Sequence, residues 1–159
     1  MELETEIGQS AFDNQHHKLI VNILFTQSWL VSQMKGFLQQ FGLTVQQFNI
    51  LRILREQSPH PTTLNLVRNR MLDKNSDASR IVERLRQKGM VERNQSEQDR
   101  RTVAIVITGK GREVLAQIDQ QDDFFYSLTQ NLSDTEAQQV NELLDTMRGS
   151  GTSEGRSAY

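Results

Sequence analysis

The chain is expected to be mainly α-helical with one small β-hairpin, an α+β arrangement with extra helices at both ends. Three observations predict this. Apolar residues recur at helical spacing through most of the 159 residues, the i, i+3, i+4, i+7 rule of a helix with one buried stripe. Proline interrupts the helix formers at one place only, at positions 59 and 61. Two β-branched runs, Met90-Val91-Glu92-Arg93 and 102–107, stand on either side of a polar stretch crowded with arginine, as the strands of a hairpin do.

Each element follows in order. Residues 1 to about 10 are acidic, poor in large apolar groups and expected to fray. From residue 12 to about 40, Leu19, Ile20, Ile23, Leu24, Leu30, Val31, Met34, Phe37 and Leu38 keep a helical period, so one long helix is predicted to end near Phe41-Gly42. Thr44 and Gln47 have the spacing of a capping box, and Phe48, Leu51, Ile53 and Leu54 supply the buried side of the next helix. Ser58-Pro59-His60-Pro61 stops it. Thr62 or Thr63 then caps a short helix carrying Leu64, Val67, Met71 and Leu72. A turn over 73–76, with Asp73 or Asn75 as cap, leads to a helix whose apolar stripe is Ala78, Ile81, Val82 and Leu85. Its opposite face carries Ser76, Arg80, Glu83 and Gln87, flanked by Ser79 and Arg84. Lys88-Gly89 ends it, a cation at the negative dipole end followed by a residue free to turn left-handed. Two helices across a tight turn make a helix-turn-helix. Followed by a hairpin with a basic tip, they outline a winged helix-turn-helix of about 44–108, a shape that grips DNA.

Beyond it, Thr108 caps a helix along which Val114, Leu115, Ile118, Phe124, Phe125 and Leu128 run to about Asn131. Ser133 and Glu136 form a second capping box before a last helix with Val140, Leu143, Leu144 and Met147 as its buried stripe. Residues 149–159 are Gly/Ser-rich and expected to be a flexible tail, within a single domain spanning 1–159. About half of the chain is therefore apolar helix outside the winged helix, at about 12–40 and 109–148. Such helices need something to cover them, and a second copy of the chain is the economical answer, so they are predicted to be dimerisation helices of a homodimer. The alternative is that they wrap the winged helix within a monomer.

Composition sets limits. There is no cysteine, which removes disulfides, thiolate metal sites and cysteine-based redox sensing. No apolar run approaches the roughly 20 residues of a membrane span, and the acidic start lacks the cationic region of a signal peptide, so a soluble, cytoplasmic protein is expected. The net charge of −2 sits awkwardly with DNA binding, but its distribution answers much of that. Residues 62–101 hold ten cations against six carboxylates, +4 locally, and the remainder carries −6. A local basic patch is what phosphates feel.

The order of long helix, GLTVQQFNILRIL helix, helix-turn-helix ending SRIVERLRQKGMVER, tip DRR and then T-G-K-G resembles the MarR family of bacterial transcriptional regulators over roughly residues 15–148. The most specific parts are residues 79–85 with Lys88-Gly89, and Asp99-Arg100-Arg101 a short distance on. The resemblance implies a twofold dimer of winged-helix lobes on a pseudo-palindromic double-stranded operator, as a rule a repressor released by a small molecule or oxidant.

Ser76, Asp77, Ser79 and Arg80 lie toward the N-terminal end of the recognition helix, the end that enters the major groove. Arg80 can fork onto guanine O6 and N7. Ser76 and Ser79 reach phosphate or base. Asp77 either accepts from cytosine N4 or serves the helix dipole in the first turn. Arg84 suits a phosphate, or else pairs within the helix with Glu83. At the tip, Arg100 and Arg101 enter the minor groove or bind its phosphates, with Asp99 orienting one guanidinium; the alternative is a solvated turn. The resemblance makes Asp99 and Arg101 that pair. Thr62 and Thr63 both cap a helix and touch phosphate.

Effectors of the family sit between the DNA lobe and the dimer helices, which implies His16, His17, Trp29, Phe48 and Arg52 as candidates. For Trp29 and Phe48 the alternative is core packing. His16 and His17 face different directions on a helix and make a poor metal pair, and no metal or cofactor is expected. An enzyme is not expected either: no phosphate loop, nucleophile elbow or His/acid cluster is present. The rival reading is a winged-helix dimerisation or protein-interaction module without DNA contact, which would not need the basic tip or the outward Arg80 and Arg84.

Overall fold

The structure, a computed structural model, describes residues 2–8, 11–95 and 103–149, with the backbone alone of 94, 95, 103 and 122. Two compact units divide the chain, 1–120 and 121–159.

The first unit is built on α3 (Val45–Gln57), which touches α2 (Gln15–Gln39), α4 (Leu64–Arg70), α5 (Ala78–Gln87), α6 (Gly109–Asp119) and the strand β3 (Val103–Ile107). A helix that meets five neighbours must be apolar on most sides, and Phe48, Ile50, Leu51, Ile53 and Leu54 are all buried. Its start is fixed by the reciprocal capping box. The Thr44 hydroxyl accepts from the Gln47 N–H and the Gln47 side chain accepts from the Thr44 N–H, both at 3.2 Å. Val67 from α4, Val82 and Leu85 from α5, and Leu115 and Ile118 from α6 close the core around it. Each such side chain contributes on the order of 1.5–3 kcal/mol by leaving water.

The sheet has three antiparallel strands in the order β1 (Thr62–Thr63), β3, β2 (Val91–Gln95). Val91 pairs with Ile107 and Gln95 with Val103, while Thr62 pairs with Ile105. This third strand was not expected. Thr62 is 2 % exposed and part of the sheet, so it neither caps a helix nor presents a hydroxyl to phosphate. Thr63 is the cap of α4, accepting from the Leu66 N–H at 3.2 Å. Leu72, read as part of the buried side of α4, lies beyond its end and is 83 % exposed.

Two other departures concern the N-terminal half. Residues 1–10 are not wholly frayed: α1 (Leu3–Ile7) forms, Leu3 is buried, and Glu4 pairs with Lys18 of α2 at 2.5 Å. One buried leucine and one ion pair hold a segment whose composition alone reads as solvent-exposed. The turn before α5 is capped by Asp77 rather than Asp73 or Asn75.

The single helix expected from Thr108 to Asn131 is two. Gln121 leaves the helical region at φ −111°, ψ 40°, separating α6 from α7 (Asp122–Ser127). In the second unit Phe124 and Phe125 meet edge to face at 5.4 Å, and α8 (Asp134–Met147) begins with the Ser133–Glu136 capping box. The stripe expected to be buried on α8 is not: Val140, Leu143 and Met147 are exposed, Leu143 by 69 %. Of the tail, only Gly149 lies among the described residues.

Candidate nucleic-acid interface

The turn between α4 and α5 is organised by two aspartates. Asp73 accepts from the Asn75 N–H at 3.0 Å and from the Ser76 hydroxyl at 2.7 Å, and these bonds, the Ser76 hydroxyl first, hold its carboxyl below the usual range. Asp77 accepts from the Arg80 N–H at 3.1 Å and so starts α5. Asp73 thus bonds within the turn through both oxygens and Asp77 through one. Ser76 stands in the turn rather than on the helix face, half-buried and donating to Asp73. Asp77 is the N-cap of α5, one of its oxygens accepting from the helix N-terminus, as the helix-end alternative has it.

The α5 helix buries Ala78, Val82 and Leu85. At about 100° per residue the stripe opposite is Arg80, Arg84 and Gln87, and all three are exposed, as is Ser79 on the flank. Arg80 and Arg84 sit about 6 Å apart along the axis. The third carboxylate nearby, Glu83, is engaged elsewhere. Arg86 donates to it at 2.8, 3.0 and 3.2 Å, and Arg93 of β2 lies 3.7 Å away. Chiefly the Arg86 hydrogen bond lowers the Glu83 carboxyl from its ordinary value. Arg84 therefore does not pair with Glu83. Among the described residues no ion pair is formed by Arg68, Arg70, Arg80 or Arg84, which leaves four cations on the two helices.

Arg93 also donates to the Ser79 carbonyl at 3.2 Å, so β2 is pinned to the first turn of α5. The far end of α5 is held just as tightly. Gly89 turns left-handed at φ 71°. The Thr108 hydroxyl donates to its carbonyl at 2.8 Å, and Lys110 donates to the Lys88 carbonyl at 2.8 Å. Lys88 donates to the Gln47 side chain at 3.1 Å. Of the local cations, Arg86, Lys88, Arg93 and Lys110 thus serve the fold. Sequence reading counted all but Lys110 as patch charge, and only the spacing of Arg86 from Glu83 could have marked one of them. Asp99, Arg100 and Arg101 lie outside the described residues.

The five effector candidates fall on two helices, His16, His17 and Trp29 on α2 and Phe48 and Arg52 on α3. Phe48 is buried in the core with the Arg52 guanidinium 5.9 Å from its ring centroid, so the core-packing alternative describes it. His17 stands edge-on to Phe12 at the start of α2, with Asp13 at 3.4 Å, and His16 is exposed. Trp29 is three turns further along the same helix. Among the described residues no three metal-ligating side chains are grouped to hold an ion. No described helix is long and apolar enough to cross a membrane.

A helix-turn-helix backed by an antiparallel three-stranded sheet is a winged-helix lobe. The MarR family model matches residues 43–103, from just before α3 to the first residue of β3. The Escherichia coli transcriptional repressor MprA is 28 % identical over 118 residues, which cover 74 % of this chain and 67 % of the repressor. A mutant MarR from E. coli, solved with operator DNA, shares the fold at a TM-score of 0.75 and 24 % identity over 92 % of this chain and 99 % of that one. So does Bordetella bronchiseptica BpsR, whose DNA binding is regulated by 6-hydroxynicotinic acid, at 0.71 and 20 % identity over 82 % of this chain and 98 % of that one. Residues 43–103 thus match the MarR family model, and the chain is similar to these regulators and shares their winged-helix fold.

Proposed function

We propose that this chain is a sequence-specific double-stranded DNA-binding repressor. It acts as a homodimer on a pseudo-palindromic operator and is released by a small molecule. The observation that carries the reading is the exposed Arg80–Arg84 stripe on α5, free of ion pairs among the described residues, while the described carboxylates Asp73, Asp77 and Glu83 bond to the turn, the helix start and other arginines. Such a surface offers phosphates and base edges their donors without a competing intramolecular partner. In this reading Arg80 reads a guanine and Ser79 touches phosphate or base. Arg84 holds a phosphate, as do Arg68 and Arg70 at the end of α4. Asp99, Arg100 and Arg101 supply the minor-groove grip that the family resemblance implies.

The homodimer is supported by apolar side chains that the chain leaves uncovered, Ile20, Leu24 and Val31 on α2 and Val140, Leu143 and Met147 on α8. Either face, meeting its own copy on a second chain, would be covered by twofold pairing. The repressor and ligand-responsive parts rest on the similarity to MprA and BpsR.

Retention on duplex DNA as a function of salt tests the proposal. With several phosphate contacts per dimer, affinity should fall steeply and linearly on a log–log plot, with slope about −0.9 per phosphate neutralised. Arg84→Ala should flatten that slope without changing which sequence is preferred. Absence of binding at low salt to any duplex, including DNA upstream of the chain's own gene, would leave the protein-interaction module as the better reading.

A further inference from the structure

The first helix and α2 line a solvent-open cleft away from α5. Helix α1 is tied to one face of α2 by buried Leu3 and by the Glu4–Lys18 pair. Between the two helices lies a cavity of about 460 Å³, within the range of about 300–1,000 Å³ in which small-molecule sites fall. Leu3, Phe25 and Trp29 give it an apolar, aromatic part, and Glu2 and Glu6 are among its polar lining. At about 100° per residue, Phe25 and Trp29 face away from the Ile20, Leu24 and Val31 stripe. The cavity therefore lies on the side of α2 opposite the surface assigned to the partner subunit.

Its charge is lopsided. Lys18 neutralises Glu4, and among the described residues Glu2 and Glu6 form no ion pair. Two carboxylates that form no ion pair among the described residues, lining the same space as an indole ring, repel anions and attract cations, and the ring face itself favours a positive group. A hydrated metal ion would make no use of the aromatic wall; an organic cation uses both halves. We propose that the α1–α2 cavity binds small organic cations with an aromatic body, the cationic group over Trp29 between Glu2 and Glu6 and the ring against Phe25 and Leu3. This names a ligand class for the ligand-responsive reading and rests on it only for the regulatory consequence; the binding stands without it.

Trp29 is the only tryptophan of the chain, so tryptophan-selective fluorescence reports on this cavity alone. The full chain is titrated with benzyltrimethylammonium and, at matched ionic strength, with benzenesulfonate, an anion of similar size. The cation should give a saturable change and the anion none. The double variant Glu2→Gln, Glu6→Gln keeps size and polarity, and far-UV circular dichroism checks that it folds. Its dissociation constant should rise about tenfold or more, and Trp29→Leu, followed by calorimetry, should weaken the cation similarly. Equal responses to cation and anion, or an unchanged constant in the double variant, would overturn the proposal. DNA retention is measured on the same samples. A chain that binds the cation but no duplex keeps the cavity and loses the regulator, and one that binds duplex but no cation does the reverse.

Discussion

Asp77 and Arg80 are joined by a single backbone hydrogen bond of 3.1 Å, and it separates two roles that the sequence leaves mixed. Four polar residues near the start of α5 all look able to touch a base. Asp77 accepts from the helix N-terminus, Ser76 donates to Asp73, and Arg80 and Ser79 remain pointing outward. Replacing Asp77 by Ala should therefore cost about 0.5–2 kcal/mol of stability, while Asn, which keeps an acceptor at the cap, should cost a few tenths at most. Urea denaturation of the two variants measures this. If Asp77→Asn keeps its stability but changes which DNA sequence is preferred, the cap does not occupy the side chain fully and a base contact must be restored. The outward arginines were legible because a 3.6-residue period assigns faces without knowing partners. Which aspartate caps was not, since Asp73, Asn75 and Asp77 are all good cap residues and the outcome depends on where Ala78 must enter the core.

Between elements, the position of α5 depends on contacts at each end that local sequence rules do not reveal. Along its outer side Glu83 and the Ser79 carbonyl hold Arg93 of β2; just past its C-terminal end Thr108 and Lys110 donate to the Gly89 and Lys88 carbonyls. Glu83 titrates below its ordinary value in the folded chain, so its contribution is present above the unfolded value and is lost as pH falls through the folded one. The urea midpoint of the wild type should drop on acidification from about pH 5 downward. Glu83→Gln should show a shallower drop, the remaining slope coming from Asp73, Glu4 and Glu136, which shift the same way. Parallel curves would mean that the exposed Glu83 pairs are too well solvated to matter. Gly111 gives a sharper test. A Cβ there would lie 2.4 Å from the Met90 carbonyl oxygen and 2.8 Å from the Ile107 side chain, so α6 approaches the β2–β3 ladder only because this residue has none. Gly111→Ala should destabilise by about 1–3 kcal/mol despite alanine's better helix propensity, again read from urea midpoints; a neutral or stabilising result would contradict that packing. The long helices were legible because their apolar periods run for many turns. Strand β1 was not, because two threonines are too few to show a period and its pairing partner is forty residues away. The gap between α6 and α7 was also hidden, since the apolar spacing carries on across it without a proline or glycine.

At the scale of the molecule, the winged helix buries its own core, and its helices beyond that core do not. Leu24 on α2 and Leu143 on α8 are more than half exposed, apolar surface that the proposed second copy would cover. A dimer also converts one α5 into two, and the spacing of two recognition helices on a twofold axis is what a palindromic site measures. The apolar stripes were legible in the sequence; that they stay uncovered within one chain was not, because periodicity says which face is apolar and nothing about what covers it. In the proposed dimer sequence choice falls to Arg80 and symmetry to the terminal helices. The measurement that tests both at once is selection of binding sites by the full chain from a pool of randomised duplexes, run in parallel with Arg80→Ala. The wild type should enrich a motif of two inverted half-sites about one helical turn apart, and Arg80→Ala should lose its preference at one symmetric pair of positions, a discrimination of about 1–3 kcal/mol per contact. Enrichment of a single unsymmetric site, or an Arg80→Ala motif identical to the wild type's, would contradict it.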